Sequence, residues 1–247
     1  MCIKSPADLE KLKEIGSIVR KALDVTAAAV RPGITTAELD AIGDRVLTDN
    51  GAQSSPPKVY NFPGAFCISV NDEAIHGIPG DRVIREGDLV KLDLVADKDG
   101  YYADAAVTIC VGQVSKTAAA LARCAESAFR RAAQVARAGN RLTDIGRAVE
   151  SETQRCGFQV MRAYCGHGVG AAIHESPQVL NYPDPQYRAK LTEGLVITIE
   201  PIISAGKGKG VVQRNHWTVR TADGSMAAHY EHTLVITKGD PILVTAA

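Results

Sequence analysis

Two stretches of this chain repeat one another, and that repeat limits the possible folds more than any other feature. VRPGITTAELDAIGDRVLTDNG, residues 30–51, and ARAGNRLTDIGRAVESETQRCG, residues 136–157, align without a gap and bring an arginine and two glycines into register. Ile75-His76-Gly77-Ile78-Pro79 is echoed by Ile173-His174-Glu175-Ser176-Pro177. Each echo precedes a Glu-Gly pair and an apolar strand bearing an acid, Asp93 in REGDLVKLD and Glu200 in TEGLVITIE. A second acid opens an apolar run in each half, Asp104 in ADAAVTICVG and Glu231 in YEHTLVITKG. The apolar strand faces of such halves need mutual cover, so the halves are expected to pack as one unit.

Local signals divide each half into helices and then strands. Ser5-Pro6 followed by Asp8 reads as an N-cap, a first-turn proline and a first-turn acid, opening a helix that runs to about Val30. Thr35 with Glu38 makes a capping box for a second helix that stops at Asn50-Gly51. The plan recurs in a helix from about Lys116 to Arg137-Ala138-Gly139 and another from near Thr143 to Cys156-Gly157. The expected class is α+β, a pseudo-two-fold duplicated unit with two helices plus antiparallel strands per half. No linker or low-complexity tract interrupts it, so a single domain is expected over residues 1–247, with halves of roughly 1–112 and 113–247.

The acids frame the chemistry. An ionised carboxylate drawn out of water without a partner is very costly, and four of them in Val/Ile/Leu runs call for a neutralising cation. A tight hairpin centred on Lys98-Asp99 would oppose residues whose numbers sum to 197, setting Asp93 directly across from Asp104. Opposed like charges destabilise a sheet unless a cation lies between them or one acid is protonated. In GHGVG, His167 sits between glycines that let backbone approach a ligand closely. His174 follows seven residues later, and His76 holds the equivalent place in the first half. Four carboxylates and an imidazole form an oxygen-rich set suited to Mn²⁺, Fe²⁺, Co²⁺ or Mg²⁺ more than to a sulfur-rich zinc site. Two such ions, sharing carboxylates, would use that much negative charge to activate water.

Composition excludes several other classes. Lys plus Arg and Asp plus Glu each number 28, so no global field draws the chain to DNA or an anionic membrane. The six cysteines include no C-x-x-C and read as reduced thiols rather than a disulfide framework. MCIKSPADLE carries no apolar stretch after its lysine, so no signal peptide is expected and the cytoplasm is the expected compartment. AGKGKG at 205–210 lacks the G-x-x-x-x-G-K-[ST] pattern and reads as a hairpin tip. Arg123, Arg130, Arg131, Arg137 and Arg141 read as a solvated face, with a dock on ribosomal RNA as the functional alternative.

NDEAIHGIP, KLDLV, GYYAD, YCGHGVG, IHESPQV, ITIEP, HWTV and YEHT, in this order and spacing, resemble type I methionine aminopeptidase over nearly the whole chain. The resemblance implies the pita-bread fold and a metallo-exopeptidase removing the initiator methionine when the next residue is small. It implies Asp93, Asp104, His167, Glu200 and Glu231 as ligands of two divalent metals, with Asp104 and Glu231 bridging. Glu200 would serve as general base, His174 would hydrogen-bond the scissile carbonyl, and His76 would touch the substrate near the scissile amide. Phe62, Cys67, Ile173 and Trp217 fall at methionine-pocket positions. Implied partners are the amino termini of nascent polypeptides, with transient ribosome contact, and the chain would be a monomer. Ile173, Asn61 and Ser176 depart from the usual pattern, leaving a paralogue of altered specificity as one alternative. A non-catalytic binding protein of the same fold is the other.

Overall fold

The computed structural model describes residues 1–246; Ala247, the last residue of the expected single domain, lies outside them. In the first half, α1 (Pro6–Ala29) and α2 (Thr36–Asp49) lead through β1 (Gln53–Ser54) and α3 (Ser55–Tyr60) to β2 (Cys67–Val70), β3 (Glu73–Ile75), β4 (Leu89–Lys98) and β5 (Tyr101–Cys110). In the second, α4 (Lys116–Val135) and α5 (Leu142–Arg155) precede β6 (Gln159–Val160), β7 (Gly166–Gly168), β8 (Glu175–Val179), β9 (Val196–Ile199) and β10 (Ile202–Ser204). β11 (Gly210–Val212), β12 (Val219–Thr221), β13 (Ala227–His229), β14 (Glu231–Val235) and β15 (Ile242–Leu243) complete the chain.

The helix ends follow the capping signals. Ser5 Oγ accepts from the Asp8 N–H while the Asp8 carboxylate accepts from the Ser5 N–H, and Thr35 and Glu38 exchange the same pair of bonds. Asp144 receives the Arg141 N–H at the matching place in the second half. The repeated glycines occupy repeated conformations, with φ of 92° at Gly33 against 96° at Gly139, and 67° at Gly51 against 83° at Gly157. These left-handed positions end or join helices where a Cβ would be strained. Even the hydrogen bonds repeat, since Gly33 donates to Ile84 O and Gly139 to Leu191 O. The short α3 has no counterpart among the expected helices.

A nine-stranded sheet carries both halves, ordered β1-β4-β5-β14-β9-β7-β8, with β2 also on β4 and β15 also on β14. The halves meet where β5 pairs antiparallel with β14, Glu231 opposite Ala106 and His232 opposite Ala105. Along each strand alternate residues face opposite ways. Val90, Leu92, Leu94, Ala103 and Ala105 join the core under α1 and α2, while Leu234, Ile197 and Ile199 join the core under α4 and α5. Asp93, Asp104 and Glu231 occupy the intervening positions and so face away from the helices.

The β4–β5 register corrects one expectation. Partner numbers add to 199, so Asp93 faces Ala106 and Asp104 faces Val95. The turn is Asp99-Gly100, with φ of 52° and 82°. A two-residue hairpin that needs positive φ at both positions takes an Asp-Gly pair, not Lys-Asp. Because the shift is two in the sum, both acids keep the same face and become diagonal neighbours. AGKGKG is likewise no hairpin tip: it crosses from β10, which pairs with β13, to β11, which pairs with β12 in another sheet. Ser204 and Asp223 side chains bind its Gly206 and Lys207 amides.

α1 and α2 approach closely at Gly43, where a Cβ would strike the Phe66 ring and the Thr26 hydroxyl. Phe66 is fully buried, and its N–H donates to Asp40 on α2, so the ring has little room to yield. Gly43→Ala is expected to cost about 1–3 kcal/mol by overpacking. The measurement is thermal unfolding, where Tm should fall by roughly 2–10 °C for a chain of this size; an unchanged Tm would show that the interface can relax.

Candidate metal centre

One row across the sheet sets out most of the site. Cys67 on β2 pairs with Asp93, Asp93 with Ala106, and Ala106 with Glu231. The β9–β14 register, His232 opposite Ile199, continues past the strand ends, for Tyr230 N–H donates to Pro201 O and His229 lies opposite Ile202. Glu200 therefore stands beside Glu231 at the row's end. The facing arrangement expected of Asp93 and Asp104 belongs instead to the second pair of acids. Ala106, with only a methyl, leaves the middle of the row open.

The ladder bends at Glu200-Pro201, where proline supplies no N–H and the strand breaks. At that bend the second-half donors converge. Thr198 Oγ1 donates to Glu200 Oε1 at 3.0 Å and accepts from the His167 N–H at 3.1 Å, tying both residues to one hydroxyl. Asn181 Nδ2 donates to the Glu200 carbonyl at 2.9 Å. Asp104 is fixed by its N–H to Thr233 Oγ1 at 2.9 Å, whose hydroxyl returns a bond to the Asp104 carbonyl at 2.8 Å.

The electrostatics are those of a cation site. Burial and then neighbouring carboxylates push Asp104 and Glu200 well above the usual carboxylate range. Burial and then Asp93 do the same to Glu231, and burial raises Asp93. Burial pushes His167 down to about 4, so its ring is neutral and can offer a lone pair. Its Nδ1 lies 2.9 Å from Gly168 O; with Nδ1–H donating there, the lone pair sits on Nε2, which is 3.6 Å from both Asp104 Oδ2 and Glu200 Oε1. An imidazole whose other nitrogen is bound to a backbone carbonyl is oriented as metal ligands are. Asp104 Oδ1, Glu231 Oε1 and both nitrogens of His229 are buried without hydrogen-bond partners. Buried polar atoms of this number without partners fit a divalent ion. Among the described residues, the groups able to hold a cation are Asp104, His167 and Glu231, and Glu200, His229 and Glu231, both in this site.

The cleft above these donors is lined by His76, His174, Tyr164 and Gln178. Beside it a smaller chamber of about 260 Å³ is walled by Phe62, Cys67, Val95, Ile173, Trp217 and Tyr60. Phe62 meets Trp217 edge to face at 5.2 Å. All four residues read as pocket positions thus line one cavity that also touches Asp93 and Asp104. Asn61 occupies a left-handed conformation, φ 58° and ψ 33°, which glycine or asparagine tolerates best. Arg123, Arg130, Arg131, Arg137 and Arg141 are exposed, and Glu126 and Asp240 pair with Arg130 and Arg137.

Three contributors escaped the sequence reading. Tyr60 Oη lies 2.7 Å from His174 Nδ1; with the hydroxyl donating, Nε2 carries the proton and can donate into the cleft. Thr198 had no signal beyond its place in the strand. His229 had one, since it stands two residues before Glu231.

Metallopeptidase family M24 matches residues 10–238 of the chain. Methionine aminopeptidase 2 of Bacillus subtilis is 43% identical over 247 residues, covering 99% of each chain. A methionine aminopeptidase of Staphylococcus epidermidis is 42% identical, covering 99% of this chain and 98% of its own length. The crystal structure of methionine aminopeptidase from Thermotoga maritima superposes with a TM-score of 0.97 at 34% identity and full coverage of both chains. Prolidase from Pyrococcus furiosus shares the fold at a TM-score of 0.80 and 24% identity, with 66% of that chain covered.

The crowded acids predict how the metal-free protein responds to heat. Adding Mn²⁺ or Co²⁺ at about 100 times its dissociation constant should stabilise the wild type by about 2.7 kcal/mol. Asp104→Asn should raise Tm in the chelated protein, because it removes one like charge, and should lose most of the metal-induced rise. Calorimetry with and without chelator checks both, and an equal metal-induced shift in the variant would remove Asp104 from the donor set.

Proposed function

Because this chain belongs to metallopeptidase family M24, we infer from its site how the reaction is divided among its residues. It has the pita-bread fold of that family and is a methionine aminopeptidase, a metal-dependent hydrolase that removes an N-terminal methionine. The observation that carries the assignment of roles is the junction of two cavities, one floored by acids and an imidazole, the other walled mostly by apolar side chains.

In this reading Asp93, Asp104, His167, Glu200 and Glu231 would hold two divalent ions. When bound, the ions lower the pKa of water and polarise the scissile carbonyl. Glu200 takes the proton of the attacking water and delivers it to the departing amide nitrogen. Its hydrogen bond from Thr198 aims one oxygen, leaving Oε2 for the proton. His174, oriented by Tyr60, donates from Nε2 to the carbonyl oxygen as negative charge develops there. His76, at a φ of 57° that few non-glycine residues adopt, is held against the amide side of the cleft.

The chamber of about 260 Å³ takes the first side chain. An unbranched thioether suits soft walls of aromatic rings and a cysteine sulfur. Confinement of the free α-amino group near the acids limits cleavage to the first residue, and a small second residue fits best. The whole chain acts as one catalytic domain, since β5 and β14 join acids from both halves in one row. Substrates are the amino termini of nascent polypeptides in the cytoplasm, met by a monomer in transient contact with the ribosome. No helix among the described residues is long and apolar enough to cross a membrane.

Two measurements test this reading. Glu200→Gln should fold normally yet lose about 10²–10⁴-fold in turnover of a Met-Ala-Ser peptide; near-normal cleavage would remove Glu200 as general base. A peptide panel differing only in the first residue, assayed with Mn²⁺ and with Co²⁺, should rank methionine first. Faster release of leucine or alanine would point to a chamber of altered specificity.

A further inference from the structure

The reaction leaves one buried side chain of the centre without a task. His229 ends β13, two residues before Glu231, and is 2% exposed. Neither ring nitrogen has a hydrogen-bond partner. Burying an imidazole with both nitrogens unmatched is unfavourable, and such groups are rare without an ion or water to complete them.

Its position is fixed from the main chain. The His229 N–H donates to Thr108 Oγ1 at 3.0 Å, and that hydroxyl donates back to the His229 carbonyl at 2.7 Å. On its other edge His229 pairs with Ile202 in the β10–β13 ladder. The ring is thereby directed at the acids. Nε2 lies 3.4 Å from Glu231 Oε2 and 4.0 Å from Glu200 Oε2. Neither contact forms a hydrogen bond. The separations approach the spacing of donors sharing one ion, since atoms each about 2.1 Å from a metal stand roughly 3–3.5 Å apart at tetrahedral or octahedral angles. One donor atom from each of Glu200, His229 and Glu231 lies within 4.8 Å of the others.

We propose that His229 is itself a ligand of the divalent metal centre, binding together with Glu200 and Glu231. The proposal rests on the metal-centre reading above and adds a sixth protein donor to it. The two imidazoles differ in support, because His167 spends Nδ1 on Gly168 O while His229 keeps both nitrogens free. A second imidazole among carboxylates makes the centre softer, shifting its preference toward Co²⁺ and Zn²⁺ and away from Mn²⁺ and Mg²⁺.

The test compares full-length wild type, His229→Gln and His167→Ala, each stripped with chelator and titrated separately with Co²⁺ and Mn²⁺ in a calorimeter. His229→Gln should weaken Co²⁺ binding by about tenfold or more and Mn²⁺ binding by less, and should alter the visible absorption of bound Co²⁺. Equal Co²⁺ affinity within about twofold, with superimposable spectra, would overturn the proposal. If wild type takes up no stoichiometric metal, the centre itself fails, and the His167→Ala reference distinguishes that case. Should His229→Gln not fold, proton NMR of the Co²⁺-loaded wild type decides: two exchangeable, paramagnetically shifted ring N–H signals support two ligating imidazoles, and one overturns it.

Discussion

Four carboxylates brought to the middle of one sheet repel one another, and much of the surrounding structure serves to keep them there. Asp104 is locked by Thr233, Glu200 by Thr198 and Asn181, and Glu231 by its place in the β5–β14 pairing. Burial raises the proton affinity of all four, and neighbouring carboxylates raise it further at Asp104, Glu200 and Glu231. The two helix pairs cover the opposite face with apolar cores. Their packing stabilises the sheet against a site that is itself unfavourable until it is loaded.

The pseudo-two-fold relation runs between β5 and β14, but it is broken where chemistry needs it broken. In the first half the acids are diagonal, Asp93 opposite Ala106 and Asp104 opposite Val95. In the second they stand side by side at a bend made by Pro201. The bend also brings in Thr198 and His229, which the first half does not match. Glu200 thus gains the hydroxyl donor Thr198, where the first half has Lys91 two residues before Asp93; the His229 imidazole acts on both acids. The proton-transfer role proposed for Glu200 alone follows from that difference.

The capping boxes, the glycine-ended helices and the acids in apolar strands were all legible in short windows of sequence, and the structure follows them closely. The hairpin turn was misplaced by one residue, and the pairing register by two, because Asp97-Lys98-Asp99-Gly100 offers more than one turn; the positive φ at Asp99 and Gly100 settles which forms. AGKGKG was misread as a tip because the segments around it pair with β13 and β12, not with each other. Tyr60 and His174 are 114 residues apart, so no local pattern could connect them. His229 was overlooked because its one signal, a place two residues before Glu231, gains meaning only when the ladder turns it inward.

By itself the sequence determined the duplicated plan, the kinds of element and the four acids set in apolar strands, because caps, periodicity and acid placement act over a few residues. Only the tertiary structure decided which acids face one another, where the strand ladder bends and which side chains complete the centre. Those outcomes depend on pairings between distant segments, such as β5 with β14 and β13 with β10, whose register is set by turns and a proline break rather than by composition.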